Sequence, residues 1–465
     1  NELLWSKLLI VMLIVLGLYF TFRTNFVQFR FFKEMFRLLG DGAKGEKKDG
    51  SVSSFQAFCI STASRVGTGN IAGIAMAVVA GGPGSVFWMW LIALIGSASS
   101  FVESTLAQIF KVKDNEGFRG GPAYYMEQGL KSRTMGMVFS VLITVCFGFI
   151  FNAVQSNTIT VAFNNAFGVN KLAVGIVLSV LTGIIIFGGV HRIAKVSEII
   201  VPIFAVLYIL VALFVVAINI GEIPNVIKTI FENAFGVREM AVGSFGGMVL
   251  VGIKRGLFSN EAGMGSAPNA AATADVTHPV KQGLIQTLGV FTDTLIICTA
   301  TAFIILLSGD YASGNLTGIE LTQSALISQV GSWGGTFIAI CILLFAFSSI
   351  IGNYYYGETN IQFISNKKIY LYIYRIIVIG MVFFGSIASM QFVWDIADVF
   401  MGLMAVINLI AIVLLSKIAI KAYKDYASQK QVGKDPVFYA SSIPELGDEV
   451  EQWRDDTVSN TKEAI

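Results

Sequence analysis

"SRVGTGNIAG" (residues 64–73) lies inside an apolar segment more than twenty residues long. Its glycines, its hydroxyl and amide side chains and Arg65 interrupt what would otherwise be a membrane helix. A bilayer offers no water to a backbone that leaves helical geometry. Such a backbone is tolerated at membrane depth only where it lines a polar cavity or is buried in protein. Glycine permits the unwinding, and the exposed amides and carbonyls then become ligands.

The rest of the chain supplies the membrane. Of 465 residues, 55% are hydrophobic and 13% charged, with a mean hydropathy of +0.71. A soluble protein of this length needs a far more polar surface, so the composition implies a polytopic membrane protein. A formal net charge of +2 says little by itself. Cys59, Cys146, Cys298 and Cys341 all fall in apolar segments without a CxxC pair, which suggests neither a disulfide framework nor a metal site. The first apolar run, Leu8 to Phe22, has no basic region before it and no small-residue cleavage site after it. It therefore reads as a membrane helix rather than a signal peptide.

Apolar windows of about 20 residues predict eleven spans. A leading helix runs from Leu3 to Phe22. Ten core helices follow near 52–80, 84–110, 135–162, 170–188, 196–219, 241–270, 281–307, 332–360, 369–388 and 391–416. Between them, "NFVQFRFFKEMFRLLG" alternates aromatics with Arg30, Lys33 and Arg37, the pattern of an amphipathic helix in the membrane interface. From Lys417 the chain turns polar and charged and is expected to form a partly disordered soluble tail. With the N-terminus outside, the inside loops and the tail carry 24 Lys and Arg, and the outside segments carry only Lys7, Lys171, Lys228 and Arg238. That bias predicts N-out and C-in topology in the cell membrane.

The opening stretch recurs. "SRVGTGNIAGIAMA" (64–77) aligns with "KRGLFSNEAGMGSA" (254–267) at an offset of 190 residues. The alignment matches Arg65 with Arg255, Asn70 with Asn260, and Gly73 with Gly263. The same offset pairs "FVES" (101–104) with "FTDT" (291–294), so Glu103 meets Asp293. Chance similarity between two Ala/Gly-rich stretches is the competing explanation; one register held across two successive helices argues against it. Five helices separate the copies, so the second crosses the membrane in the opposite sense. An inverted repeat with a broken helix in each half is the pattern of a secondary transporter, which holds substrate and ions near the midplane. The expected fold is all-α, with a peripheral N-terminal helix and a ten-helix core whose helices one and six are broken. Its divisions are 1–50 for the peripheral helix and interfacial segment, 51–220 and 221–416 for the two halves, and 417–465 for a cytoplasmic tail.

"GGPGSVFWMWLIALIG" (81–96), "STASRVGTGNIAG" and "FRGGPAYYMEQGL" resemble the alanine or glycine:cation symporters, also called sodium:alanine symporters, over nearly the whole chain. The resemblance implies a 5+5 core of the amino acid–polyamine–organocation type, shared with the leucine transporter fold. It also implies cation-coupled uptake of alanine and glycine, driven by sodium or by protons.

The outer half of core helix one begins at the midplane, where free amides and the positive dipole end suit a carboxylate. The substrate carboxylate is assigned to the backbone around Thr68, Gly69 and Asn70. Core helix six runs the other way, and its carbonyls near Leu257 and Phe258, with Ser259, suit the ammonium. The same glycines and hydroxyls would also serve helix packing. "GTGN" resembles the Gly-x-Gly-Asn of sodium-coupled proteins with this fold. Carried across, the resemblance places sodium on the backbone oxygens of Ala63 and Val66, with Phe345, Ser348 and Ser349 of core helix eight as partners. The alternative for those serines is a bond to their own helix carbonyls. In core helix three, Gln155 is expected to reach the substrate, while Phe258 and Trp394 form its apolar wall. Charges inside the bilayer are functional or paired. Arg65, Glu103, Arg255 and Asp293, with Lys254 and Glu261, are therefore expected to form pairs that switch at the breaks.

Other classes fit less well. A channel needs a continuous polar path. No HExxH, GxSxG or Walker motif is present, and His191 and His278 sit in inside loops, which disfavours an enzyme or an ATP-driven pump. The expected partners are a small neutral amino acid, sodium and lipid, with no nucleic acid and no cofactor beyond the coupling ion, acting as a monomer.

Overall fold

The computed structural model describes residues 3–44, 52–114, 117–235 and 245–454. Among them, eight helices are long and apolar enough to cross a membrane. They are α1 (Leu4–Arg23), α4 (Ser85–Ile109), α6 (Arg133–Phe167), α8 (Gly189–Ile218), α12 (Pro279–Ser308), α14 (Trp333–Ile364), α15 (Lys368–Ile387) and α16 (Met390–Gln431). A ninth span is the bent pair α3a (Ser54–Arg65) and α3b (Gly69–Gly81), which turn by 49° at their break. Shorter helices fill the gaps: α2 (Phe32–Lys44), α5 (Pro122–Gln128), α7 (Lys171–Ile186), α9 (Ile223–Phe235), α10 (Phe245–Asn260), α11 (Ala267–Ala271) and α13 (Gly318–Val330). A hairpin of β1 (Val112–Asp114) and β2 (Gly117–Arg119) precedes α5.

Two of the eleven expected spans differ in length. α7 has 16 residues, just under the usual span. The segment expected at 241–270 is α10, a break and the five-residue α11, with 241–244 outside the described residues. The chain between 309 and 332, expected as a loop, contains α13. Its Thr322 hydroxyl donates to Ile71 O at 3.1 Å, which lays the helix against α3b. The expected disordered tail begins instead as fifteen further residues of α16, from Lys417 to Gln431. Ala419, Ile420, Ala422, Tyr423 and Tyr426 are buried there, so a helical apolar stripe persists through the charged residues. Beyond it, Phe438 N donates to Thr277 O and Trp453 Nε1 to Gln108 O, both across the end of the bundle rich in Lys and Arg. α2 docks on the same extension: Tyr426 donates to Glu34 at 2.7 Å and Lys430 pairs with it at 3.0 Å. Arg37, hydrogen-bonded to Glu34, lowers that carboxyl to about 2.

Burial separates the centre from the rim. Within the apolar windows of α8 and α15 only 22% and 28% of residues are buried, against 72% in α14. α3, α10–α11, α12, α6 and α14 therefore meet in the middle, and the breaks lie among them. α3a starts on a capping box, in which Ser53 Oγ accepts from Gln56 N while Gln56 Oε1 accepts from Ser53 N. Its lead-in residue is tied to the chain after the second break, since Asp275 N donates to Val52 O. Two π-helical stretches, Thr144–Phe151 in α6 and Phe291–Cys298 in α12, flank the same centre. Such stretches frequently mark functional sites.

Candidate functional site

The first break lies where the sequence places it. Val66 is extended (φ −82°, ψ 93°), and the chain is helical again from Gly69. The break turns the carbonyls of Ala63 and Val66 toward α14. Ser349 Oγ lies 2.8 Å from Ala63 O, 3.0 Å from Phe345 O and 3.3 Å from Val66 O. Ser348 Oγ donates to Phe345 O at 2.8 Å. The five expected sodium residues thus gather at one point. Both serine alternatives are realised together: Ser348 bonds only its own helix, while Ser349 also reaches across to α3. Oxygens of this kind suit a hard cation, provided the hydroxyls rotate from donating to accepting.

The other residues singled out at the first break form two groups. Thr68 N and Thr68 Oγ1 both donate to Gln155 Oε1, at 2.9 and 2.7 Å. The side-chain carbonyl of Gln155 therefore sits on the amide assigned to a carboxylate. Beside it, Phe258 stacks on Phe151 at 4.5 Å and meets Trp394 at 4.4 Å between centroids. Phe258 also closes on Gly69, where an added Cβ would meet its ring at 3.0 Å. Gln155, Phe258, Trp394, Thr68 and Gly69 thus pack around one point beside the first break, polar groups on one side and rings on the other. Asn70 and Ser259 point elsewhere. Asn70 Oδ1 accepts from Gly67 N at 3.0 Å, and its Nδ2 donates to Asp293 Oδ1 at 2.6 Å. Ser259 donates to Asp293 Oδ2 at 2.7 Å.

The second break falls later than the expected carbonyls. α10 runs through Leu257, Phe258 and Ser259, and Glu261 N still bonds Leu257 O at 3.0 Å. The chain unwinds from Glu261, which has φ +58°, through Gly263 at +82° and Gly265 at +86°. The carbonyl of Leu257 is therefore taken. The carbonyls of Phe258 and Ser259 belong to the last helical turn, which has no amide ahead of it within the helix.

The expected charge pairs are replaced by a crosswise arrangement. Glu103, on α4, takes the amides of Gly263 and Gly265 at 3.0 and 3.1 Å and the Asn408 amide at 2.7 Å, all at the second break. Asp293, on α12, holds Asn70 at the first. Among the described residues Arg65 bonds no carboxylate; its Nη1 donates to Gln286 O at 3.2 Å. Arg255 and Lys254 both pair with Asp398 at 2.8 Å, and Arg255 lies 4.6 Å from the Trp394 ring. The sequence reading passed over Asp398 and Asn408. Asp398 carried the signal, being a charge inside an expected span; Asn408 became visible only in the fold. Glu261 accepts from Ser64 at 2.8 Å and Ser266 at 2.6 Å, tying the two breaks together.

Comparison with known proteins gives the family and the kind of fold. A model of the Sodium:alanine symporter family matches residues 1–440. The chain is 60% identical over 462 residues to the Probable sodium/glutamine symporter GlnT of Bacillus subtilis (strain 168), covering 99% of this chain and 96% of that one. It is 38% identical over 435 residues to the Sodium/alanine symporter AgcS of Methanococcus maripaludis, covering 92% and 95%. Its fold is similar to that of MhsT, crystallised in complex with L-phenylalanine, with a TM-score of 0.58 at 14% identity over 87% of this chain and 96% of MhsT. A break-centred helical fold and a family match over almost the whole length lead to one conclusion: the chain belongs to the sodium:alanine symporter family, and it is a multi-pass membrane transporter rather than an enzyme.

Proposed function

We propose that the chain is a sodium-coupled symporter that takes up small neutral amino acids, alanine and glycine, by alternating access. The observation that carries this reading is the convergence of Ala63 O, Val66 O, Phe345 O and the Ser348 and Ser349 hydroxyls across the first break. A cation there ties α3 to α14 and so couples ion binding to the shape of the neighbouring chamber. The amino acid's carboxylate takes the Thr68 amide when Gln155 gives way, and Gln155 then turns its NH₂ toward it. Phe258 and Trp394 wall the side chain, and the last-turn carbonyls of α10 face the ammonium. Eleven spans in 1+5+5 order, with N-out and C-in topology in the cell membrane, fit this reading. Sodium is the coupling ion, no other cofactor is needed, and one chain suffices.

The test is uptake of labelled alanine into proteoliposomes under an imposed sodium gradient without ATP. Replacing Ser348 and Ser349 together by Ala removes two ligand oxygens. The sodium concentration for half-maximal uptake is expected to rise about tenfold or more, since about 1.4 kcal/mol of lost binding corresponds to a factor of ten. An unchanged sodium requirement in a folded double mutant removes the assignment.

Glutamine is the second candidate substrate, favoured by the name of the 60%-identical Bacillus relative. Competition against labelled alanine separates the two. The crowding of Phe151, Phe258 and Trp394 leads us to expect glycine and alanine to compete and leucine to fail. Glutamine competing tenfold better than alanine would reassign the substrate, and equal competition by leucine would contradict a small chamber.

A further inference from the structure

α16 ends at Gln431, and Gly433, at φ +75°, turns the chain back. Gln429 fixes that turn: its Oε1 accepts from Val437 N at 3.0 Å and its Nε2 donates to Val437 O at 2.8 Å. Beyond the turn, the described residues form only the 3₁₀ turns Ala440–Ser442, Pro444–Glu449 and Glu451–Trp453. A segment with no helix or sheet ladder of its own keeps its place through what it touches. Here it buries its apolar side chains: Phe438, Ile443, Leu446, Val450 and Trp453 are each less than a tenth exposed.

The contacts of this segment fall on one junction. Thr277, just ahead of α12, is held twice: its carbonyl accepts from Phe438 N at 2.9 Å, and its hydroxyl donates to Pro436 O at 3.0 Å. The Phe438 ring meets His278 at 5.2 Å and Trp453 at 5.4 Å between centroids. Trp453 Nε1 donates to Gln108 O at 3.0 Å at the end of α4, where Lys111 Nζ stands 4.9 Å from its ring. Lys281 Nζ pairs with Asp435 at 2.9 Å, but the Asp435 side chain is 64% exposed, so this pair contributes little. The segment therefore bridges the start of α12 and the end of α4. The chain between those two points is also the one that holds α3a. Ala274 O accepts from Gln108 Nε2 at 3.0 Å and from Lys111 Nζ at 2.9 Å, and Asp275 N donates to Val52 O at 3.1 Å, one residue ahead of the Ser53 cap. One peripheral segment thus clamps the elements that carry both breaks.

We propose that residues 433–453 are a releasable latch on the cytoplasmic end of the transporter. Docked on Thr277, His278 and Gln108, the latch keeps the 272–278 chain against Val52 and that end shut. Undocked by a swing about Gly433, it lets α3a part from the 272–278 chain, and the end opens. A few residues at the end of a helix are the usual place for such a hinge. Alternating access requires one part of the bundle to move against another around a fixed site, and the latch sits across elements that such a motion would separate. The inference rests on alternating access from the symporter reading, with alanine serving only as the probe.

The test locks and releases the latch in the full-length protein. Thr277→Cys with Phe438→Cys places thiols on two backbone-bonded neighbours, a separation suited to the roughly 4.4–6.8 Å between Cα atoms that a disulfide spans; the four native cysteines are buried. In proteoliposomes the oxidised variant is expected to lose alanine uptake by at least about tenfold, because one state of the cycle is withheld, and to regain it on reduction. Binding of labelled alanine to the oxidised protein should stay close to that of the reduced form. The second arm removes the latch by Phe438→Ala with Trp453→Ala and reports on α3a through Val52→Cys, a position buried beside Ala274. In detergent-purified protein, maleimide should label Val52→Cys at least about threefold faster without the latch than with it, as local opening becomes easier. Oxidised protein that transports as fast as reduced protein overturns the proposal. So does Val52→Cys labelling that is equal with and without the latch, even if the thermal midpoint falls, since that is the signature of a static brace. If the disulfide does not form, the labelling arm decides by itself. Failure of alanine uptake in wild type would instead strike the symporter reading and leave the labelling arm standing.

Discussion

Gly67→Ala is expected to lower amino-acid binding by roughly 10- to 100-fold, the consequence of about 1–3 kcal/mol of overpacking where an added methyl has no room. The Cβ of that alanine would run into Ser349 Oγ and come within 2.7 Å of Gln155 Oε1. In the proposed reading these two side chains serve different ligands: Ser349 reaches the oxygens proposed for sodium, and Gln155 lies over the Thr68 amide proposed for the carboxylate. One methyl group therefore damages both sites, and sodium dependence and amino-acid affinity should fall together. Gly69→Val acts differently. Its bulk meets the Phe258 ring and the Ser259 backbone, at 3.0 and 3.3 Å for the Cβ alone, so it should abolish amino-acid binding with less effect on the ion. Gly73→Ala is the control, because its Cβ meets Trp394 at an ordinary 3.5 Å. Binding of labelled alanine to purified, monodisperse variants, titrated against sodium, checks all three. Normal binding by Gly67→Ala together with loss in Gly73→Ala would place the unwound segment a turn further along.

The first break was legible because its residues contradict their surroundings. Glycines and polar side chains in an apolar span have no purpose as lipid-facing helix, so local chemistry alone located residues 64–70. The oxygen cluster proposed to hold sodium drew notice for another reason. "GTGN" carried a pattern, and Ser348 and Ser349 are adjacent within the otherwise apolar run 337–351. The second break was harder. "SNEAGMGSA" offers the same polar residues, but the decisive positions are Gly263 and Gly265, whose positive φ shows that unwinding starts after Asn260. Of the carbonyls expected there, that of Leu257 is still held within the helix, so the free ones begin one residue later, at Phe258. Charge partners were the least legible, because Glu103 finds the second break through the packing of α4 against α10–α11 and not through sequence proximity. The helical stretch Lys417–Gln431 is hard to read because five charged and three other polar residues break up its apolar run, while the buried apolar residues keep the 3.6-residue stripe.

Glu103→Ala should be the most destabilising single substitution at the breaks. The carboxylate accepts three hydrogen bonds, from Gly263 N, Gly265 N and Asn408 Nδ2, and all the groups involved are buried. The two glycines hold left-handed backbone that directs both amides at one point, so no neighbouring carbonyl can replace the lost acceptor without the loop refolding. Each buried donor left unsatisfied costs about 1–3 kcal/mol, which puts the loss at about 2–6 kcal/mol if two of the three stay unmet. Asn408 would also lose one end of a bridge, because its Nδ2 holds Gly263 O at 2.9 Å and its Oδ1 accepts from Tyr125. Glu103→Gln keeps the shape but sets an NH₂ against a donor, so it should fall between Ala and wild type. Glu103→Asp keeps the charge and loses reach. If Glu103 served only as a titrating gate group, Gln and Ala would affect uptake and leave stability alone. If it holds the second break, the thermal unfolding midpoint in detergent falls in the order wild type, Gln, Ala, and sodium or alanine recovers little of the loss, because neither ligand contacts those amides. A Glu103→Ala protein with a wild-type midpoint would show that the loop is held by other means.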